Sequence, residues 1–245
     1  MTTQKLISFK ILIKEFATKE IKMLLLLLTL FLSLLIFINI GNLVTEGTTE
    51  QFDESIIKYF RAEGNDSEPA GPDFLNESMR DVTSLGGETV ITIITIFVIG
   101  FLILQKRYNT MWLVLAATIG GALISLGLKE FYGRERPDIS YRLIEVTQLS
   151  FPSGHSMMSA VVYLTQAAII ARIQKSKRIR IYILSAALFL TFIIGLSRVY
   201  LGVHFPTDVI GGWTIGLAWA SFCWFVAWYL QRRNKLKQQT SDKSV

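Results

Sequence analysis

The chain has 245 residues, of which 51% are hydrophobic and only 18% charged, with a formal net charge of +6. So few charges speak against a soluble domain, and the basic residues gather at the ends of apolar runs rather than on one soluble face, against a nucleic-acid partner. The single cysteine, Cys223, lies inside the last apolar run and allows no intrachain disulfide.

Residues 1–22 form a basic, partly amphipathic tail with Lys5, Lys10, Lys14, Lys19 and Lys22. The charge-free run that follows, Met23–Val44, is too long and too leucine-rich for a cleaved leader and reads as a first span. Five more such runs recur: Thr89–Gln105, Thr110–Leu128, Ser156–Ala171, Ile181–Ser197 and Val209–Leu230. A helix needs roughly 17–25 apolar residues to cross the hydrocarbon core. The fourth run reaches that length when Pro152–His155 is added. The pattern predicts an all-α fold, a six-span transmembrane helical bundle. A single membrane domain occupies residues 23–230, and a basic tail residues 231–245. Gly120, Gly121 and Gly127 in span three, and Gly211, Gly212 and Gly216 in span six, are small residues that let helices approach closely.

Loop charges predict orientation. The amino-terminal tail, Lys106-Arg107, the segment Gln174–Arg180 and the carboxy-terminal tail are all basic, and they alternate correctly for the cytoplasmic side. The loop 45–88 carries three Lys/Arg against eleven Asp/Glu and belongs outside. Within it, Phe52, Ile56, Ile57, Tyr59 and Phe60 alternate with Asp53, Glu54, Lys58 and Arg61, the pattern of a short amphipathic helix. Lying at the membrane interface and packing on the protein are equally good readings. The loop Lys129–Phe151 also falls outside, yet it holds Lys129, Arg134, Arg136 and Arg142. Cations on the unfavoured side have a local job, holding an anion or pairing with an acid such as Glu130 or Glu135.

Three segments on that outer side concentrate the unusual polar residues. They are Lys129 to Arg136-Pro137, then Pro152-Ser153-Gly154-His155, then Ser197-Arg198 followed by His204 and Asp208. The only two histidines of the chain, His155 and His204, both sit at outer span boundaries. Asp208 follows His204 by four residues, so helical backbone would bring them to one side. A carboxylate on one imidazole nitrogen fixes the tautomer and raises the basicity of the other, which makes a nucleophile or base. Asp208 also reads as a favourable charge at the start of span six. Ser153 suits an N-cap, and Gly154 lets backbone approach a ligand, so the start of span four can hold an anion. Lys129, Arg136 and Arg198 offer cations for phosphate oxygens, although Lys129 or Arg198 alone could simply snorkel. Lys129 and Arg136 are two helical turns apart if the helix persists, which Gly133 and Pro137 oppose. Metal chemistry is not favoured, because cations surround the histidines and no carboxylate cluster shares their segments.

These residues resemble the type 2 phosphatidic acid phosphatase (PAP2) superfamily, with its signature K-x6-R-P, P-S-G-H and S-R-x5-H-x3-D. Every signature position is matched, directly over Lys129–Asp208. The resemblance implies a helical bundle and a membrane lipid phosphatase that needs no metal or other cofactor. The implied substrate is a lipid phosphate or diphosphate of the outer leaflet, such as phosphatidylglycerol phosphate, phosphatidate or undecaprenyl pyrophosphate. It implies that His204 attacks phosphorus to form a phosphohistidine, that Asp208 orients His204, and that His155 protonates the leaving oxygen and then activates water. Lys129, Arg136, Ser153, Gly154 (through its amide) and Arg198 would hold the phosphate. Tyr132 and Arg134 are outside the signature and receive no role. A phosphotransferase of the same superfamily and a non-catalytic phospholipid-binding protein are the competing readings.

Overall fold

A computed structural model describes residues 3–241; the extreme ends of both predicted tails, residues 1–2 and 242–245, lie outside the described residues. Helices dominate. In chain order they are α1 (Thr3–Thr45), α2 (Glu50–Tyr59), α3 (Asp73–Ser84), α4 (Glu88–Leu104), α5 (Tyr108–Tyr132), α6 (Gly154–Ile173), α7 (Lys177–Tyr200) and α8 (Pro206–Ser241). A two-stranded ribbon, β1 (Arg61–Ala62) paired antiparallel with β2 (Asn65–Pro69), is a small addition to the expected all-α fold. A single 3-10 turn covers Ile139–Tyr141.

Five stretches are individually long and apolar enough to cross a membrane: Met23–Thr45, Tyr108–Tyr132, Gly154–Ile173, Lys177–Tyr200 and Pro206–Arg233. The second expected span behaves differently. Helix α4 has 17 residues, at the lower limit of spanning length, and bends by 46° from α3 across Leu85-Gly86-Gly87. Two glycines in a row interrupt the helix there, as their low helix propensity dictates.

The bundle is inside-out relative to a soluble protein. Phe97, Leu104, Trp112 and Phe131 are exposed, whereas Ser153, Ser156, Ser159, Thr165, Thr191 and Ser197 are buried. That distribution suits hydrocarbon outside and polar function inside. Helix α6 lies between α7 and α8, with α5 against α6 and α1 along α8. Glycines allow the closest approach: a Cβ on Gly212 would fall 2.6 Å from the Ser153 carbonyl oxygen, and one on Gly216 2.6 Å from that of Met157. Gly120 likewise packs against Trp219, but Gly127 has open space around it and serves no helix contact.

Helix α2 packs on the protein through one face, while its Phe52 and Tyr59 are exposed. Ile57 is buried against Val199 and Val209. Asp53, which the pattern puts on the polar face, is also completely buried. Nearby, the Arg61 guanidinium donates to three carbonyls, those of Phe60, Tyr141 and Tyr200, and so ties the loop to the end of α7.

Candidate functional site

The three signature segments converge at one end of the bundle. Helix α8 begins at Pro206, whose missing N–H costs nothing in the first turn. Asp208 sits one position past Thr207 and turns its carboxylate back: Oδ2 accepts from the Phe205 N–H at 2.9 Å, in the manner of a capping box. The same oxygen accepts from Ser150 Oγ at 2.5 Å and lies 3.4 Å from His204 Nδ1. Asp208 therefore caps the helix and faces the imidazole at once.

His204 is 1% exposed. Its Nδ1 lies near Asp208 and 3.3 Å from Ser150 Oγ, while Nε2 lies 3.1 Å from an Arg136 N–H nitrogen. A carboxylate only accepts and a guanidinium only donates. The ring proton consequently belongs on Nδ1, and Nε2 keeps its lone pair toward the cations. Burial, and after it the charges of Arg136, Arg198 and Lys129, hold the His204 pKa well below the usual 6.5. The neutral, nucleophilic form is the resting one at neutral pH.

The cations arrive by different routes. Helix α5 ends at Tyr132, and Gly133 takes the left-handed conformation (φ 58°), its N–H donating to the Lys129 carbonyl at 2.9 Å. Lys129 is thus helical and Arg136 is not. They meet through Gln148: Lys129 Nζ donates to its Oε1 at 2.8 Å, and Arg136 Nε donates to its backbone carbonyl. Arg136 also donates to the Val203 carbonyl at 2.6 Å. Burial lowers its pKa to about 10, Asp208 opposing and Arg142 adding to the shift, so it remains cationic at neutral pH. Arg198, 3% exposed near the end of α7, donates to Thr83 Oγ1 at 2.8 Å, and its Nε is buried without a partner among the described residues. A phosphate oxygen would satisfy that orphan donor.

Ser153 is the N-cap of α6, its hydroxyl oxygen accepting from Ser156 N–H at 3.4 Å and Ser156 Oγ at 3.0 Å, which leaves its own O–H proton to donate. Its own N–H donates to the Asp208 carbonyl at 3.0 Å. The Gly154 amide, a first-turn group without an intrahelical acceptor, stands beside that hydroxyl as a second donor at the helix start. A Cβ on Gly154 would stand 3.9 Å from Lys129 Nζ, so the helix start and that cation are neighbours. His155 lies across the site against the α3–α4 elbow: a Cβ on Gly87 would be 3.9 Å from its Nε2. All eight predicted residues are therefore drawn together from α5, α6, α7, α8 and the loops at their ends.

Ser150, Gln148, Thr83, Arg134 and Asp53 join the site, none of them at a signature position. Arg134 donates to Asp208 Oδ1 and Asp53 Oδ2, both at 2.7 Å, and its guanidinium stacks 4.3 Å from the centre of the Phe205 ring. The acids that neutralise it are these two, not Glu130 or Glu135. The excess of cations in the loop was visible, but acids 81 and 74 residues away were not. Among the described residues, no group of three or more His, Cys, Asp or Glu is placed to hold a metal ion.

A multi-pass helical bundle with a buried imidazole–carboxylate pair beside a cluster of cations defines a membrane protein whose site is suited to an anionic group. The chain belongs to the PAP2 superfamily, whose family profile matches residues 109–232. Phosphatidylglycerophosphatase B of Bacillus subtilis (strain 168) is 36% identical over 149 residues, 59% of this chain and 71% of that protein. An undecaprenyl-diphosphatase of Sulfolobus acidocaldarius is 36% identical over 76 residues, 31% of this chain and 32% of that protein. The crystal structure of a transmembrane PAP2-type phosphatidylglycerolphosphate phosphatase from Bacillus subtilis superposes with a TM-score of 0.72 at 27% identity, covering 84% of this chain and 96% of that one. The names of these relatives are those of lipid phosphatases, and the fold is shared with the Bacillus subtilis structure.

Proposed function

We propose that this protein hydrolyses the phosphomonoester or diphosphate of a membrane lipid, without a metal, through a phosphohistidine on His204. The observation that carries the reading is the division of the His204 ring: Nδ1 on the Asp208 side, and Nε2 among the cations. The Nε2 lone pair forms the N–P bond as the P–O bond to the lipid breaks, and His155 gives its proton to the departing oxygen. Water then attacks phosphorus, losing its proton to His155 as the N–P bond breaks. Lys129, Arg136, Arg198, the Ser153 hydroxyl and the Gly154 amide balance the charge on the equatorial oxygens. The names of the relatives favour phosphatidylglycerol phosphate or undecaprenyl diphosphate as the lipid. Loop charges favour cytoplasmic termini and a site at the outer face.

The test is phosphate release by purified protein in detergent with EDTA, across lipid mono- and diphosphates. Activity undiminished by EDTA and inhibited by vanadate is expected; loss on chelation with recovery on adding a divalent ion would sink the metal-free reading. A water-soluble ester supplied only outside intact cells should be hydrolysed, and hydrolysis solely after permeabilisation would reverse the orientation.

A further inference from the structure

Helix α2 sends one carboxylate, fully buried, into the back of the site. Asp53 Oδ1 accepts from the Thr207 N–H at 3.1 Å, and Oδ2 accepts from Thr207 Oγ1 at 2.6 Å and from Arg134 at 2.7 Å. The other arm of Arg134 goes to Asp208. One guanidinium is therefore split between two buried carboxylates, only one of which touches the imidazole. The charges count out simply. Asp208 with Arg134 alone would be neutral, and a neutral pair does little for a ring that turns cationic when Nε2 bonds to phosphorus. With Asp53 included, one net negative charge stands behind His204.

We infer that Asp53, through Arg134, is a positioning residue for the phosphoryl-transfer step, keeping Asp208 anionic in effect toward His204. Splitting the guanidinium denies it a bidentate grip on Asp208, so one carboxylate oxygen stays directed at Nδ1. It also gives the outer loop a function: α2 supplies the second carboxylate and holds the first turn of α8, on which Asp208 rides. The inference rests on His204 being the nucleophile.

The experiment uses full-length protein in a His155→Ala background, where p-nitrophenyl phosphate should release one burst of p-nitrophenol as His204 is phosphorylated. Asp53→Asn keeps an oxygen for the Thr207 N–H but cannot accept at both positions. It should slow the burst about tenfold or more at unchanged amplitude. Amplitude counts folded sites and the rate constant belongs to them, so partial misfolding lowers only the former. Adding Arg134→Gln to Asp53→Asn restores the single net negative charge, and the burst should run faster than with Asp53→Asn alone. A merely structural Asp53 would instead give additive losses. An unchanged burst rate in Asp53→Asn, or a still slower one in the double variant, overturns the inference. If the parent gives neither burst nor acid-labile phosphoprotein, the phosphohistidine reading falls and takes this one with it.

Discussion

Asp208→Asn tests the hydrogen-bond polarity around the imidazole. Every group facing the Asp208 carboxylate is a donor: Arg134 on Oδ1 at 2.7 Å, and Ser150, the Phe205 N–H and His204 Nδ1 on Oδ2 at 2.5, 2.9 and 3.4 Å. An amide has one acceptor oxygen and one NH2, so one side must set donor against donor. In either orientation the buried ion pair with Arg134 is lost, which costs about 3–5 kcal/mol of stability, and with the NH2 toward Arg134 two donors also face each other. With the NH2 toward His204, the ring is driven to its other tautomer and Nε2 loses its lone pair. Removing such a charge behind the histidine of a serine-protease triad lowers kcat by about 10⁴. Here the contact to Nδ1 is long and Arg134 shares the carboxylate, so we expect a smaller loss of about 10³, or about 4 kcal/mol of barrier. The assay is kcat on p-nitrophenyl phosphate and on a lipid phosphate, with acid-quenched phosphoprotein and a thermal midpoint as the check on folding. A folded variant retaining kcat within about tenfold of the parent would reduce Asp208 to a helix cap and refute the reasoning.

The depressed His204 pKa also predicts a pH dependence of stability. The unfolded ring takes up a proton near 6.5 and the folded ring only well below it, so this stability is fully present above about pH 6.5. It is lost as the pH falls from there toward the folded value, and the thermal midpoint should drop over that window. His204→Gln should flatten that slope; an unchanged slope would place the titration elsewhere. For the second histidine, His155→Ala should still release about one equivalent of p-nitrophenol before turning over slowly, because that leaving group needs no acid while hydrolysis of the phosphoenzyme needs a base. Should His204→Ala accumulate the acid-labile phosphoprotein instead, the two roles are exchanged.

Much of the fold was legible because hydrocarbon imposes a simple rule on composition. Five of the six apolar runs correspond to helices of spanning length, and the end of α5 followed from Gly133. The second span reads in sequence as a plain one, since its bend resides at Gly86-Gly87, just before the apolar run begins at Thr89. The site was legible for the same local reason: its eight residues fall in three short segments whose spacing is chemical. What escaped was held by distance. Thr83 reaches Arg198 across 115 residues and Asp53 reaches Thr207 across 154. No periodicity links such pairs, and an acid on an amphipathic stretch reads as solvated until the fold closes over it.

The break at Gly133 divides the seven-residue interval between Lys129 and Arg136 into two mechanically different parts. An extra residue placed between Lys129 and Tyr132 would rotate everything on one side of it by about 100° about the α5 axis, swinging Lys129 away from Gln148 or forcing the helix to unwind. The same insertion between Gly133 and Arg136 would merely lengthen an arc that Gln148 and Val203 anchor at its far end. A spacing that looks in sequence like two turns of helix is, in space, one turn of rigid screw followed by a short length of string.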